Sequence, residues 1–203
     1  MIDVLVSDLG QVVLPFDFTP TRNFLRDHCR ALKDAEIDPW SVLSRVYDRL
    51  GFGKGDCSSL QFYGALADET GLDASFEEFC LAWSNVFYEN PGVTDLFRRT
   101  SARHRFLLSN TNEIHWKWIL SHHARALKVF DELLASQELR CEKPHPEIFR
   151  MVESRTGLPP GGHLLIDDIP ENISGAQACG WDGIVYTDVP NLEIDLRQRG
   201  LLT

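Results

Sequence analysis

The chain has 203 residues, of which 43% are hydrophobic and 25% are charged, and 20 Lys and Arg residues against 30 Asp and Glu residues give a formal net charge of −10. These are ordinary values for a globular protein that buries a core without a metal or disulfides, and they exclude general disorder. The negative charge argues against duplex DNA or RNA, whose binding depends largely on neutralising phosphates, so we predict no nucleic-acid partner.

The start of the chain and the cysteines favour a reduced compartment. Residues 1–6 contain an acid and no basic segment, which is not typical of a signal peptide. No apolar stretch approaches the ~20 residues that span a bilayer. The five cysteines are scattered and include no CxxC pair, which favours structural thiols over a zinc or redox site. We therefore predict a cytoplasmic protein without membrane contact.

The chain begins with a predicted strand over residues 2–7, and a helical region follows it. Amphipathic helices are predicted over residues 21–33, 39–50, 58–70 and 75–87, and Ser75 and Glu78 fit a capping box for the last of them. After residue 91 the pattern changes to strands that alternate with helices. The strands are predicted over 104–108, 132–136, 163–166 and 183–186, and the helices over 93–99, 113–120, 146–155 and 170–178.

This order of elements predicts an α/β fold with a Rossmann-like parallel sheet. Four consecutive helices between the first two strands are too many for a crossover connection. We therefore predict that residues 15–90 form an inserted small helical domain, and that residues 1–14 and 91–203 form the core.

Polar residues follow three of the predicted strands. They are Asp8, Ser109-Asn110 and Asp167-Asp168, and Lys143 precedes a later helix. Ligands of open α/β sheets bind at the carboxyl ends of the strands, so we expect these side chains to meet. Acids that meet in this way suit a cation such as Mg²⁺, and an amine with free backbone N–H groups suits an anion beside it. Together they indicate phosphoryl transfer.

Four segments, in order, resemble motifs of the haloacid dehalogenase-like hydrolase superfamily, and the resemblance extends over essentially the whole chain. The predicted insert is similar to the small helical cap of one large branch of that superfamily. The closest resemblance is to bacterial sugar-1-phosphate phosphatases and to the phosphatase domain fused to some epoxide hydrolases. The segments are 4–13 (VLVSDLGQVV), 107–111 (LLSNT), 142–149 (EKPHPEIF) and 164–176 (LLIDDIPENISGA).

The resemblance implies a nucleophile and a metal site. Asp8 would form an aspartyl-phosphate, and its second carboxylate oxygen would bind Mg²⁺ together with the Gly10 carbonyl. Asp168 would bind the metal directly, with Asp167 as a further ligand or as its partner. Asn172 would support this loop or only cap the helix that follows.

The resemblance also implies a phosphate site. Ser109 and the Asn110 backbone N–H would hold phosphate oxygens, and Lys143 would pair with Asp8 and with the phosphate. Gln11, in the first motif, and Lys54, in the glycine-rich loop 51–56, are further candidates for substrate binding. A solvated Lys54 without a role explains its position equally well.

One position departs from the pattern of the superfamily. Gly10 stands where most of its phosphatases carry a second Asp, which protonates the leaving oxygen and activates water, an effect typically worth ~10²–10⁴-fold. Three explanations stay open: a substrate with a good leaving group such as an anomeric oxygen, a substitute His or Asp from the cap, with Asp17 nearest in sequence, or a weak or inactive ligand binder.

The sequence therefore predicts a Mg²⁺-dependent phosphatase for a small phosphorylated metabolite such as a hexose-1-phosphate. We expect a monomer or a homodimer. The alternatives are a metal-independent dehalogenase and a phosphate-ligand binder with little turnover.

Overall fold

A computed structural model gives the fold of residues 2–32 and 37–202. Within these ranges, five strands form one parallel sheet, and helices connect them. The strands are β1 (Val4–Ser7), β2 (His104–Ser109), β3 (Glu132–Ala135), β4 (His163–Asp167) and β5 (Asp182–Val185).

The helices fall into a group before β2 and a group after it. The first group is α1 (Thr19–His28), α2 (Pro39–Arg49), α3 (Ser59–Thr70), α4 (Phe76–Ser84) and α5 (Pro91–Arg99). The second is α6 (Glu113–His122), α7 (Ala124–Leu127), α8 (Ser136–Leu139), α9 (Pro146–Thr156), α10 (Pro170–Ala178) and α11 (Val189–Gln198). Short 3₁₀ turns cover Arg30–Leu32, Phe52–Lys54 and Pro160–Gly162.

The strand order is β3-β2-β1-β4-β5, which places β1 in the middle of the sheet. Val4 pairs with His104 on one side and with His163 on the other. The predicted α/β fold with a Rossmann-like parallel sheet is confirmed, and each predicted strand coincides with an observed one to within one or two residues at either end.

Both faces of the sheet are covered, because side chains alternate between the two faces along each strand. Leu5 and Leu164 lie on one face and pack under α5, α6 and α11. Val4 and Leu165 lie on the other face and pack under α9 and α10. All four are fully buried. The carboxyl ends of the strands are therefore held by a rigid, two-sided core.

The helices α1 to α4 enclose a separate aromatic core. The rings of Phe52 and Phe62 stack with centroids 4.5 Å apart and an interplanar angle of 4°, and Trp83 stacks on Phe62 at 5.1 Å. Capping boxes begin α3 and α4, and the second is the predicted box between Ser75 and Glu78. We call residues 19–84 the helical insert.

The two chain segments that lead into and out of the helical insert run side by side. Phe16 and Phe87 form an antiparallel bridge, and the Tyr88 N–H donates to the Pro15 carbonyl at 2.8 Å. The predicted domain limits at residues 15 and 90 stay a prediction, and this paired linker lies beside both of them.

The structure corrects two helix predictions and adds three helices. The first helix ends at His28, because Cys29 leaves the helical conformation to bridge to Leu72; the predicted end at Lys33 lies outside the described residues. The fourth ends at Ser84 and excludes Phe87, because residues 86–88 pair with the incoming linker. The prediction also missed α7, α8 and α11. Across the described part of the chain, no helix is both long and apolar enough to traverse a bilayer.

Candidate active site

The carboxyl ends of β1, β2 and β4 bring three polar residues to one edge of the sheet. Asp8 follows β1, Ser109 ends β2 and Asp167 ends β4, and all three are buried. Burying such groups is unfavourable unless they are paired, so their partners define the site.

Lys143 supplies the positive charge of this edge. Its ammonium lies 2.7 Å from Asp8 Oδ1 and 2.7 Å from Asp167 Oδ2, and its side chain is completely buried. Burial alone disfavours the charged ammonium, but the two carboxylates outweigh burial and raise the pKa of Lys143. Lys143 is therefore a fixed cation between two acids. We call Asp8, Lys143 and Asp167 the charged edge.

Asn110 positions the backbone of Lys143. Its side-chain amide donates to the Lys143 carbonyl at 2.8 Å and accepts from the Lys143 N–H at 2.9 Å. These two bonds tie the loop after β2 to the loop before α9. The side chain of Asn110 is thus occupied, and only its backbone N–H is available for the predicted phosphate contact.

The two adjacent acids after β4 have different surroundings. Asp167 Oδ1 accepts hydrogen bonds from the Ile169 N–H and from Asn172 Nδ2, and Oδ2 accepts from Lys143 and from the same amide at 3.1 Å. Asp168 instead faces the cavity described below. Both oxygens of Asp167 are therefore engaged by protein groups, whereas Asp168 has a carboxylate available for a ligand.

Burial dominates the electrostatics of Asp8. It raises the pKa of this carboxyl to about 6, although Lys143 acts to lower it, and Asp167 raises it further. Burial followed by the charge of Asp167 also raises the pKa of Asp168. Three carboxylates that crowd together in this way are stabilised by an added cation.

These residues fit a hard divalent cation. Carboxylate oxygens of Asp8, Asp167 and Asp168 lie within 4.8 Å of one another. The Gly10 carbonyl already accepts from the Val12 N–H, but a carbonyl oxygen has a second lone pair. An all-oxygen set with several negative charges is the type of site that binds Mg²⁺.

The turn after β1 shapes the space beside Asp8. A Cβ atom on Gly10 would lie 3.0 Å from Phe16 Cε1, so an aromatic ring fills the place of a side chain there. Gln11 adopts a left-handed φ of 54°, and its side-chain amide donates to the Phe16 carbonyl at 3.2 Å. Gln11 lines the cavity but also holds this ring in place.

A cavity of about 420 Å³ opens above the charged edge, between the core and the helical insert. Its floor is polar and its upper walls are largely aromatic. The lining includes Asp8, Ser109, Lys143 and Asp168 from the core, Phe16, Phe18 and Phe87 from the linkers, and Trp40, Ser44, Tyr47, Asp48 and Trp83 from the insert.

The structure does not bring Lys54 or Asp17 into this cavity. Lys54 is exposed on a 3₁₀ turn, because the adjacent Gly53 carbonyl accepts from Ser136 and Gly55 packs on the Gln137 backbone. Asp17 is exposed. Its carboxylate accepts hydrogen bonds from the Thr19 hydroxyl and from the Thr19 N–H, and these bonds hold the pKa of Asp17 below its ordinary value. Neither side chain reaches Asp8 in this arrangement.

His115 is a cavity residue that sequence reasoning missed. Its Nε2 lies 3.0 Å from the Trp83 carbonyl and its Nδ1 lies 3.2 Å from Asn112 Nδ2, so both ring nitrogens are engaged. Burial lowers the pKa of His115 to about 4. It is a neutral link between α6 and the insert, and it is not a replacement for the acid missing at Gly10. The only local feature of the sequence that pointed to this part of the site was Asn112, which caps the start of α6.

The sequence and the fold have well-defined relatives. A family model described as haloacid dehalogenase-like hydrolase matches residues 64–180. The D-ribitol-5-phosphate phosphatase of Bacteroides thetaiotaomicron is 27% identical over 206 residues, which cover 98% of this chain and 97% of that protein.

Two solved structures are similar over nearly the whole fold. A HAD family enzyme of Bacteroides thetaiotaomicron, in complex with magnesium and inorganic phosphate, has a TM-score of 0.78 and 24% identity, and the match covers 95% of this chain and 99% of that one. A predicted HAD-like family hydrolase of Porphyromonas gingivalis has a TM-score of 0.77 and 22% identity, with 97% and 98% covered.

Proposed function

The chain belongs to the haloacid dehalogenase-like hydrolase family, and from this premise we propose that it is a Mg²⁺-dependent phosphatase that hydrolyses small phosphomonoesters through an aspartyl-phosphate. One observation carries the proposal: Asp8 lies at the floor of the cavity, in contact with the Lys143 ammonium at 2.7 Å and beside two more carboxylates. This arrangement suits an anionic ester that is attacked by a carboxylate.

In this proposal the metal is held by Asp8, Asp168 and the Gly10 carbonyl. Asp167 keeps Lys143 and Asn172 in position, since both of its oxygens already accept hydrogen bonds from them. Bound Mg²⁺ would offset the repulsion between the carboxylate of Asp8 and the phosphate.

The residues of the chain then divide the reaction between them. A carboxylate oxygen of Asp8 attacks phosphorus, the bond to the ester oxygen breaks, and the leaving group departs as an alkoxide that takes its proton from water. A water molecule next attacks the phosphorus of the aspartyl-phosphate and gives up a proton to solvent; the bond between phosphorus and the Asp8 oxygen breaks, which releases inorganic phosphate and restores the carboxylate. Ser109, the Asn110 N–H and Lys143 bind the phosphoryl oxygens and stabilise the charge that they carry.

The glycine at position 10 bears on the choice of substrate. No side chain there protonates the leaving oxygen, so esters of good leaving groups, such as a hexose-1-phosphate, are favoured. The similar protein named for D-ribitol-5-phosphate makes a polyol 5-phosphate the natural second candidate. We further propose that the enzyme acts in the cytoplasm, as a monomer or a homodimer.

The test is phosphate release from hexose-1-phosphates, hexose-6-phosphates, ribitol-5-phosphate and an aryl phosphate, with Mg²⁺ or with EDTA. We expect Mg²⁺-dependent turnover that Asp8→Asn reduces by roughly 10⁴-fold or more, because the nucleophile is lost. A control variant, Asp68→Asn, changes an exposed acid on α3 and should keep its rate.

Other outcomes favour the alternatives. Halide release from haloacids without Mg²⁺ would replace the phosphatase by a dehalogenase. A rise in melting temperature with phosphorylated ligands, without any phosphate release, would indicate the ligand binder that Gly10 motivates.

A further inference from the structure

One face of α2 looks into the cavity. Trp40, Ser44, Tyr47 and Asp48 are spaced four, seven and eight residues along this helix, which places them on one side of it, and all four line the cavity. A small ester bound at the charged edge therefore presents its leaving group to this face of the insert.

The upper part of the cavity offers an aromatic wall. The ring of Phe18 lies 4.9 Å from the ring of Trp40 and 4.8 Å from the ring of Phe16, with interplanar angles of 41° and 46°. Such a wall buries the C–H surface of a ligand rather than its hydroxyl groups. The hydroxyl groups then need acceptors elsewhere in the cavity.

Asp48 is the carboxylate on this face that remains available as an acceptor; the smaller Ser44 hydroxyl beside it also has no hydrogen-bond partner in the part of the chain that the structure describes. The Tyr47 hydroxyl lies beside the side chain of Asn112, whose carbonyl oxygen already accepts the N–H groups of Ile114 and His115. Among the described residues, the Asp48 carboxylate takes part in no hydrogen bond or ion pair, and its side chain is exposed at the cavity. A carboxylate in this state accepts hydrogen bonds from two neighbouring hydroxyls.

Asp48 has acidic neighbours. Burial raises the pKa of the nearby Glu142 carboxyl; Lys54 acts against this rise, and Asp48 and Asp56 add to it. The cation over the Trp40 ring, Arg22 at 4.4 Å, also pairs with Asp38 at the start of α2. A ligand with a second anionic group would meet repulsion at this end of the cavity.

We propose that Asp48 determines the substrate class: it selects phosphomonoesters whose leaving group is a neutral polyhydroxylated chain or ring, and it rejects esters that carry a second phosphate or a carboxylate. The inference rests on the proposed phosphatase function. The Asp48 carboxylate would act in two ways: its oxygens accept hydrogen bonds from hydroxyl groups of the substrate, and its negative charge repels anions.

The experiment uses the full-length enzyme with saturating Mg²⁺ and measures kcat/KM for three esters. They are glucose 1-phosphate, glucose 1,6-bisphosphate and p-nitrophenyl phosphate, which has no hydroxyl groups. Asp48→Ala removes acceptor and charge together, Asp48→Asn removes the charge and keeps an acceptor, and Asp68→Asn is the matched control on α3.

We expect Asp48→Ala to lower the ratio of kcat/KM for glucose 1-phosphate to that for p-nitrophenyl phosphate by about 10- to 100-fold, mainly through KM. We expect Asp48→Asn to raise the ratio for the bisphosphate against the monophosphate by about 10-fold. The control should leave both ratios unchanged.

Unchanged ratios in both Asp48 variants would overturn the inference, and so would a wild-type enzyme that prefers the bisphosphate. These results differ from a failure of the proposed function, in which the wild type would release no phosphate even from p-nitrophenyl phosphate. A melting temperature close to that of the wild type will show that the Asp48 variants are folded.

Discussion

The charged edge and two contacts between core and insert are all buried and hydrogen-bonded, but the charged edge uses ionised groups and the two contacts use neutral ones. The charged edge holds one ammonium between two carboxylates. Core and insert also meet at the Glu113 carboxylate, which accepts from the Ser59 N–H at 3.2 Å. Two further, buried contacts use neutral groups: Ser136 donates to the Gly53 carbonyl at 2.7 Å, and His115 bonds to the Trp83 carbonyl at 3.0 Å. We call these two contacts the neutral joint.

The two arrangements offset the cost of burial in different ways. The residues of the charged edge keep their charges and offset the cost of burial by pairing with one another. The groups of the neutral joint carry no charge, so the strength of these contacts is largely independent of salt. Each prediction below alters one side of this contrast.

The largest effect is expected from Lys143→Met. This change leaves two buried carboxylates without their cation, and removing one partner from a buried ion pair typically costs ~3–5 kcal/mol. The free energy of unfolding in urea, at pH 7 with EDTA, should fall by about that amount. Lys128→Met, at an exposed lysine, is the control. A loss of similar size in this control would contradict the conclusion that the ion pairs of Lys143 cause the effect.

The neutral joint should weaken as the pH falls. His115 has a pKa of about 4 in the folded protein, against an ordinary value of 6.5, so the unfolded chain binds more protons between these values. The contribution of this group to the free energy of unfolding is about 3 kcal/mol above pH 6.5, and it is lost as the pH falls towards 4. The stability of the wild type minus that of His115→Gln, measured from pH 4 to 7, should rise with pH.

The charged edge should respond in the opposite direction. The pKa of Asp8 is about 6 in the folded protein, above its ordinary value of 3.8, so the folded state binds the extra proton. The favourable contribution is present below pH 3.8 and is lost as the pH rises through 6, by about 3 kcal/mol. In EDTA, the stability of the wild type minus that of Asp8→Asn should therefore fall from pH 4 to 7. A difference that rises with pH would mean that pairing with Lys143 outweighs burial.

The smallest of these effects is expected from Ser136→Ala. The Ser136 hydroxyl also accepts from the Thr111 N–H at 2.9 Å, so its loss leaves buried backbone groups of core and insert unpaired. We expect a loss of ~1–3 kcal/mol in urea unfolding. Ser174→Ala removes an exposed hydroxyl that bonds only within α10, and it should change stability much less.

The sequence predicted the charged edge well because its signals are local. Each contributing strand is a short apolar run, and the polar residue that ends it lies at the same edge of a parallel sheet as the others. That rule alone brings the two acids of the charged edge, Asp8 and Asp167, together with Ser109; Lys143, which does not end a strand, was predicted from its place in the motif before α9. The capping box at Ser75 was predictable for the same reason, since both of its partners lie within one turn.

The neutral joint and the face of α2 that lines the cavity were not predictable in this way. His115 is buried by Trp83, which is 32 residues away, and no local pattern reports that contact. The side of α2 that carries Asp48 faces the cavity only because of where the insert docks. Lys54 illustrates the same limit, because the packing of its loop on α8 directs it away from Asp8.

The central position of β1 has a consequence for how the chain is made. Val4 pairs on one side with His163, about 160 residues later, and on the other with His104 beyond the whole insert. At ~5–20 residues per second, a ribosome needs roughly 8–30 s after it has made β1 to synthesise β4, the later of the two neighbouring strands. During that time the apolar first strand has an open edge, so a nascent chain stalled before residue 163 should be prone to aggregate or to recruit a chaperone.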